Sequence, residues 1–237
     1  MKVLVIPDVH LKPNIFRMAG GLMHHGIADR AVCLMDIADD WGQEYNVGLY
    51  EETYDEAIHF AKEYPDSLWC YGNHDLSYIW HMLETGYSSV ASVTVQKKMI
   101  DLRIALTEGN PIKYVQRIDN VLFSHGGVCD EFVRAYVPAS KYNDVDAVLD
   151  VINGLRSGDM WNDASPIWLR PQDSDVKMYK PRKLLQVVGH TPVERIMKSR
   201  NIISCDVFST YRDGRPIGTE EFLLIDTLTG EYQGIKV

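Results

Sequence analysis

The chain has 237 residues, 46% of them hydrophobic and 24% charged. That is enough apolar content for one large core, so a single domain over residues 1–237 is expected. A formal net charge of −9 argues against a nucleic-acid coat or an anionic-membrane binder, since both need a basic face.

Residues 2–7 form a continuous apolar run that predicts a strand covered on both faces. The run is too short and too lightly flanked for a signal peptide, and no apolar stretch is long enough to span a bilayer. It leads into Asp8-Val9-His10. A helix is expected over residues 15–26, stopped by Gly26, and a second strand over residues 30–35. That strand leads into Asp36 and Asp39. Residues 51–64 have helical spacing, with Tyr54, Ala57, Ile58 and Ala61 on one stripe. A strand over residues 67–71 leads into Gly72-Asn73-His74-Asp75.

Helices are expected over residues 76–84 and 92–106. Residues 112–118 and 121–124 read as a hairpin with Asp119-Asn120 at its turn, leading into Ser124-His125-Gly126-Gly127. A helix follows over residues 145–155. Residues 156–181 are rich in Asp, Pro, Ser and Trp, lack a period and read as a long surface loop. Strands return at residues 185–188, 202–205, 221–225 and 232–236, the first leading into Gly189-His190-Thr191-Pro192. A tight turn over residues 226–230 joins the last two. Strand and helix alternate in the first half, and strands dominate the second. That order predicts an α/β architecture of sheets flanked by helices, with catalytic loops at one sheet edge.

The four cysteines, Cys33, Cys70, Cys129 and Cys205, are scattered and form no C-x-x-C pair. Reduced, buried thiols of a cytosolic protein are expected rather than a zinc site. His24, His25, His59 and His81 fall in expected helices, away from the motifs, and are assigned to surface or packing roles.

The motifs carry chemistry. In Asp8-Val9-His10, residues two apart on an extended chain point the same way, so a carboxylate and an imidazole can grip one ion. Asp36 ends a strand, and a carboxylate can bridge two cations about 3.5–4 Å apart. The spacing of Asp39 suits a charge that orients a neighbouring His. Gly72 permits a sharp turn, Asn73 offers an amide oxygen, and His74 is then free to donate a proton. Asp75 is expected to fix its own loop through local backbone hydrogen bonds. His125 is followed by two glycines that allow close backbone approach to an ion or substrate, and His190 repeats that setting. Arg170, in Trp168-Leu169-Arg170, is suited to grip phosphate. Taken singly, the Asp8 pair or the Asp36-Asp39-Asp40 cluster fits a solvated turn. Five motifs, each at a strand end, are hard to explain as packing.

The order D-x-H, D-x-x-D, G-N-H-D, H-G-G, G-H-T resembles the calcineurin-like metallophosphoesterase superfamily. Pro192, where many members carry a second His, resembles the phosphoprotein phosphatase branch in its small bacterial and phage form. The resemblance implies a four-layer αββα sandwich with two mixed sheets. It implies Asp8, His10 and Asp36 on a first metal, and Asp36, Asn73, His125 and His190 on a second. His74 is then the general acid, oriented by Asp39. Two divalent ions, usually Mn²⁺ with Fe or Zn as alternatives, would supply a bridging hydroxide that attacks phosphorus directly. Two positions depart from the pattern: Met35 stands where the family has Gly, and Asp40 stands where it has a phosphate-binding Arg. Arg170 then carries the phosphate-binding task, with Lys12, Arg182, Arg195 and Arg212 as substitutes.

The function this implies is a phosphomonoesterase, such as a protein Ser/Thr phosphatase. The alternatives are a dinucleoside polyphosphate hydrolase of the diadenosine tetraphosphatase kind, a phosphodiesterase, or a binding scaffold that keeps the fold without the chemistry. Expected partners are phosphoproteins or nucleotides rather than nucleic acid or membrane.

Overall fold

Successive side chains of a strand face opposite ways, and along this chain both faces of most strands are apolar. The computed structural model describes residues 1–107, 109–172 and 175–236. Its elements, in chain order, are β1 (Lys2–Ile6), α1 (Asn14–His24), β2 (Arg30–Cys33), α2 (Val47–Glu63), β3 (Leu68–Trp69), α3 (Asn73–Trp80) and α4 (Ser92–Ala105). Then come β4 (Val115–Ile118), β5 (Val121–Ser124), α5 (Asp130–Tyr136), α6 (Val145–Asn153), α7 (Ser157–Met160), β6 (Leu185–Val188), β7 (Met197–Ser199), β8 (Ile202–Ser204), β9 (Phe222–Asp226) and β10 (Tyr232–Ile235).

The strands form two five-stranded sheets, ordered β10-β9-β1-β2-β3 and β4-β5-β6-β8-β7. In each, three neighbouring strands run parallel: β1, β2 and β3 in one, β5, β6 and β8 in the other. The remaining strands pair antiparallel, so both sheets are mixed.

Strand alternation sorts the apolar residues into three cores. Val3 and Val5 of β1 meet Phe123 of β5 and Val187 of β6 between the sheets. Leu4 and Ile6, on the opposite face of β1, pack under Phe16 of α1, Tyr54 of α2 and Met99 of α4. Leu122 and Val188, on the outer face of the second sheet, pack under Phe132 of α5 and Ile152 of α6. The result is the expected four-layer αββα sandwich. Each fully buried aliphatic or Phe side chain contributes about 1.5–3 kcal/mol of transfer free energy. A polar substitution at any of these buried strand positions would therefore weaken one core.

Several local expectations need correction. Residues 156–181 do not form a surface loop. They include α7, and Met160, Ile167, Leu169, Met178 and Tyr179 are buried in the second helical core. Turn hydrogen bonds, such as Leu169 N–H to the Ser165 carbonyl at 2.9 Å, fold the segment without any period for a pattern to reveal. Asp173 and Ser174, within the same stretch, lie outside the described residues. Helix α3 begins at Asn73 rather than at 76, because Gly72 is still extended (φ −89°, ψ 161°) and the motif itself forms the first turn. Helix α2 starts at Val47, where the Asn46 side chain accepts from Leu49 N–H. The short α5 and the exposed edge strand β7 were not expected from sequence at all.

Candidate metal centre

A parallel sheet gathers the loops after its strands at one edge. Here that edge holds Asp8 and His10 after β1, Asp36 and Asp39 after β2, and Asn73 and His74 after β3. It also holds His125 after β5, His190 after β6 and Asp206 after β8. The loops lock together by extending the β1–β2 pairing: His10 N–H donates to the Asp36 carbonyl (2.8 Å) and Leu11 N–H to the Ile37 carbonyl (3.0 Å).

The backbone is strained where the side chains converge. His10, Asp36, Asp39 and His190 all have φ between 43° and 65°, a region L-residues rarely occupy. Met35 has φ 58°. That explains why glycine suits this place in the family pattern, and it means Met35 is held there by its surroundings. Two glycines make room for the carboxylates. A Cβ on Gly189 would lie 2.0 Å from Asp8 Oδ2, and one on Gly72 would lie 1.9 Å from Asp36 Oδ1.

Asp36 sits at the middle of the cluster. Its Oδ2 is 3.1 Å from His125 Nε2 and 4.0 Å from His10 Nε2, while its Oδ1 accepts from His74 N–H at 3.0 Å. His125 Nε2 is also 2.9 Å from Asn73 Oδ1 and 3.0 Å from His190 Nδ1. Asp8 lies on the other side, with Oδ1 accepting from His190 N–H at 2.8 Å and 3.4 Å from His125 Nδ1. Asp8, His10 and Asp36 form one group able to hold a cation, and Asp36, His125 and His190 form another. Asp36 belongs to both.

The electrostatics fit positive charge at this point. Burial pushes the Asp8 carboxyl well above the usual carboxylate range, and the Asp206 charge pushes the same way. Burial also works against ionisation of Asp36, but the His125, His74 and His10 rings overcome it and hold its carboxyl below the usual range. Burial disfavours the charged imidazole of His125, yet Asp36 and Asp8 raise it to about 9. His190 falls to about 2 through burial and the nearby charges of His125 and Arg170. Asp8 Oδ2 and His190 Nε2 are buried without a hydrogen-bond partner among the described residues. Orphaned buried atoms of this kind, with N and O donors crowding one carboxylate, are the donor set that divalent Mn, Fe or Zn accepts. The residues present therefore fit a pair of divalent ions.

Beside this cluster, His74 Nδ1 is 2.9 Å from Asp39 Oδ2. Burial lowers the His74 pKa, but Asp36 and Asp39 more than reverse this and raise it to about 9. Asp75 does not fix its own loop. It reaches across to accept from Ile37 N–H (3.1 Å) and Tyr54 Oη (2.6 Å), so it braces the Asp36 loop instead.

The cluster floors a cavity of about 780 Å³ whose wall includes Arg170, Arg212, Trp41 and Asp206. Arg170 is anchored from behind, donating to the His190 carbonyl (2.8 Å) and to Thr191 Oγ1 (3.3 Å). Asp40 does face this cavity, but Lys12 pairs with its Oδ2 at 3.2 Å, and Trp41 N–H and Thr210 Oγ1 donate to its Oδ1. Its charge is thereby largely spoken for. Lys12 serves that purpose. Arg182 and Arg195 line other clefts, leaving Arg170 and Arg212 as the arginines of this cavity. The glycine after His125 faces the chain and not an ion: Gly126 N–H donates to the Pro166 carbonyl, and a Cβ there would lie 2.7 Å from the Leu169 backbone. All four cysteines are buried and free.

Asp206 was not singled out in the sequence. It is 1% exposed, accepts from Ser209 Oγ at 2.8 Å, and burial raises its pKa. The signal was available, because it too follows an expected strand end.

No protein-family model matches the chain, and no curated protein matches it. Solved structures do match in fold. A cold-active protein-tyrosine phosphatase of a psychrophilic Shewanella species aligns over 99% of this chain and 80% of its own, with TM-score 0.58 and 18% identity. A hypothetical protein from Pyrococcus horikoshii aligns over 100% of this chain and 87% of its own, with TM-score 0.50 and 13% identity. The chain therefore shares the fold of these two structures, two mixed sheets with helices outside them. No helix among the described residues is long and apolar enough to cross a membrane.

Proposed function

We propose that the chain is a metal-dependent phosphoric ester hydrolase acting on phosphate monoesters. One observation carries this reading: side chains from five strand ends converge on the shared carboxylate Asp36 at the floor of a cavity. In this reading Asp8, His10 and Asp36 would hold one divalent ion, and Asp36, Asn73, His125 and His190 would hold the other. Bound there, such ions supply Lewis acidity to phosphoryl oxygens and make water nucleophilic at neutral pH.

The protein's own groups do the rest. Arg170, fixed by His190 and Thr191, presents its guanidinium to the phosphate. Lys12 offsets the Asp40 charge that would otherwise repel the substrate. His74 commits Nδ1 to Asp39, leaving Nε2 as the nitrogen that gives up a proton. As the P–O bond to the leaving group breaks, that proton passes to the departing oxygen. The water oxygen remains on phosphorus, and no phosphoenzyme forms. General acid help of this kind is typically worth roughly 10²–10⁴-fold in rate.

A second reading, hydrolysis of a dinucleoside polyphosphate, draws on one further observation. Arg212 sits 4.9 Å above the Trp41 ring in the same cavity, offering a second cation beside an aromatic face. One structure of similar fold is a protein-tyrosine phosphatase, and the monoester reading is in line with that.

The test is hydrolysis of p-nitrophenyl phosphate with Mn²⁺, then with EDTA, then with Mn²⁺ restored. Turnover should appear, vanish and return. A chain inert with Mn²⁺, Fe²⁺ and Zn²⁺ alike would leave only the binding-scaffold reading. A parallel panel of phosphopeptides and dinucleoside polyphosphates separates the two substrate readings.

A further inference from the structure

Asp39 has two carboxylate oxygens, and the structure divides them between two tasks. Oδ2 faces His74 Nδ1 at 2.9 Å. Oδ1 accepts from Tyr50 Oη at 2.8 Å and from Tyr78 Oη at 2.5 Å. Both tyrosines are fully buried, and Asp39 is 2% exposed. Tyr50 comes from α2 and Tyr78 from α3, so separate helices converge on one oxygen. Tyr78 is itself pinned: its Oη accepts from Ser88 N–H at 2.7 Å, and its ring stacks on Tyr87 with centroids 4.4 Å apart.

A carboxylate held by one hydrogen bond can rotate about its broad terminal torsion and exchange oxygens. Two phenol donors on Oδ1 prevent that exchange. They also share the carboxylate charge, so the proton between Asp39 and His74 stays on Nδ1. Burial and the Asp39 charge push both phenols well above their ordinary pKa, so they remain donors at any working pH.

The geometry points to Tyr50 and Tyr78 as positioning residues that hold Asp39 so that His74 always presents Nε2 to the leaving group. This rests on the reading of His74 as the general acid. Tyr78 adds a link to the cavity wall. Through Ser88 it is joined to the segment carrying Glu84, Thr85, Gly86 and Tyr87, all of which line the cavity.

A merely structural role would lower stability and slow all substrates alike. A positioning role makes the defect grow as the leaving group becomes harder to expel. The experiment compares phenyl phosphate with p-nitrophenyl phosphate, whose leaving group departs without much proton assistance. The variants are Tyr50→Phe, Tyr78→Phe and the double variant, with His74→Asn as reference. For the double variant, kcat on phenyl phosphate should fall roughly 10- to 100-fold, as for other supporting groups of an active-site residue. The fall on p-nitrophenyl phosphate should be several-fold smaller, with KM and metal content unchanged. Tyr50→Phe alone serves if loss of the Ser88 contact keeps Tyr78→Phe from folding.

A second readout is independent of turnover. Long-range ¹H–¹⁵N spectra with Mg²⁺ bound, recorded above the alkaline limb where His74 has given up its Nε2 proton, should show the neutral ring as the Nδ1–H tautomer alone in the parent protein, and as a mixture in the tyrosine variants. Equal losses on both esters, or an unchanged tautomer, would overturn the assignment. If His74→Asn steepens the leaving-group dependence and the tyrosine variants do not, the tyrosine assignment alone fails. If His74→Asn leaves phenyl phosphate turnover intact, the acid reading fails and takes the tyrosines with it.

Discussion

Replacing His74 with Asn is expected to lower kcat on phenyl phosphate by roughly 10²–10⁴-fold while metal content stays at the parent level. Asn keeps a group near Asp39 but has no proton to give at the right acidity. The backbone N–H of residue 74, which donates to Asp36 Oδ1 at 3.0 Å, is untouched by the substitution. The metal cluster should therefore persist. The parent protein should also show an alkaline limb in its kcat profile, where His74 loses its proton and turnover falls. The variant should lack that limb. Steady-state kinetics across pH, with metal analysis of both proteins, checks all three points. Full activity in the variant would remove His74 from the mechanism.

Asp36→Asn should have a larger effect. Asp36 is the one carboxylate common to both candidate metal groups, and it lies 3.1 Å from His125 Nε2. An amide of nearly the same shape loses the negative charge and one of the two bridging oxygens. Loss of a metal's charge stabilisation is worth several kcal/mol, so turnover should fall by roughly 10³-fold or more. Bound metal should drop below two ions per chain. The imidazolium forms of His74 and His125 also lose the carboxylate that most favours them. Metal analysis and p-nitrophenyl phosphate turnover of the purified variant read both effects. A variant that kept two ions and full turnover would show that the bridge is not there.

Much of this was legible in the sequence because strand ends are legible. An apolar run that stops at Asp8, Asp36, Asn73, His125 or His190 marks both a strand and the place where its loop begins. The parallel strands at the heart of each sheet then bring those loops to one edge. The four-layer sandwich was implied by the resemblance and not by the periodicity, although the alternation is visible in the structure, where Val3 and Leu4 face different cores. The tyrosines on Asp39 were not legible, because Tyr50, Tyr54 and Tyr78 look like ordinary apolar positions of α2 and α3. Only the distances to Asp39 and Asp75 show what their hydroxyls do.

The segment over residues 156–181 failed for the opposite reason. Its buried residues have no period, so composition suggested a surface loop where packing made a wall of the second core. Asp40 departs from the family pattern in sequence, and only the fold shows that Lys12 and Thr210 hold its carboxylate. Asp206 belongs to none of the five motifs, yet its charge acts on both Asp8 and His10, which makes it part of the same electrostatic unit.

The central claim is that Asp8, His10, Asp36, Asn73, His125 and His190 together hold two cations around one shared carboxylate. Its most direct test is a crystal of the Mn²⁺-equilibrated protein measured at the manganese absorption edge. Two anomalous peaks flanking Asp36 are predicted, one beside Asp8 and His10, the other beside Asn73, His125 and His190. A map with no peak at Asp36 after Mn²⁺ equilibration would contradict the account.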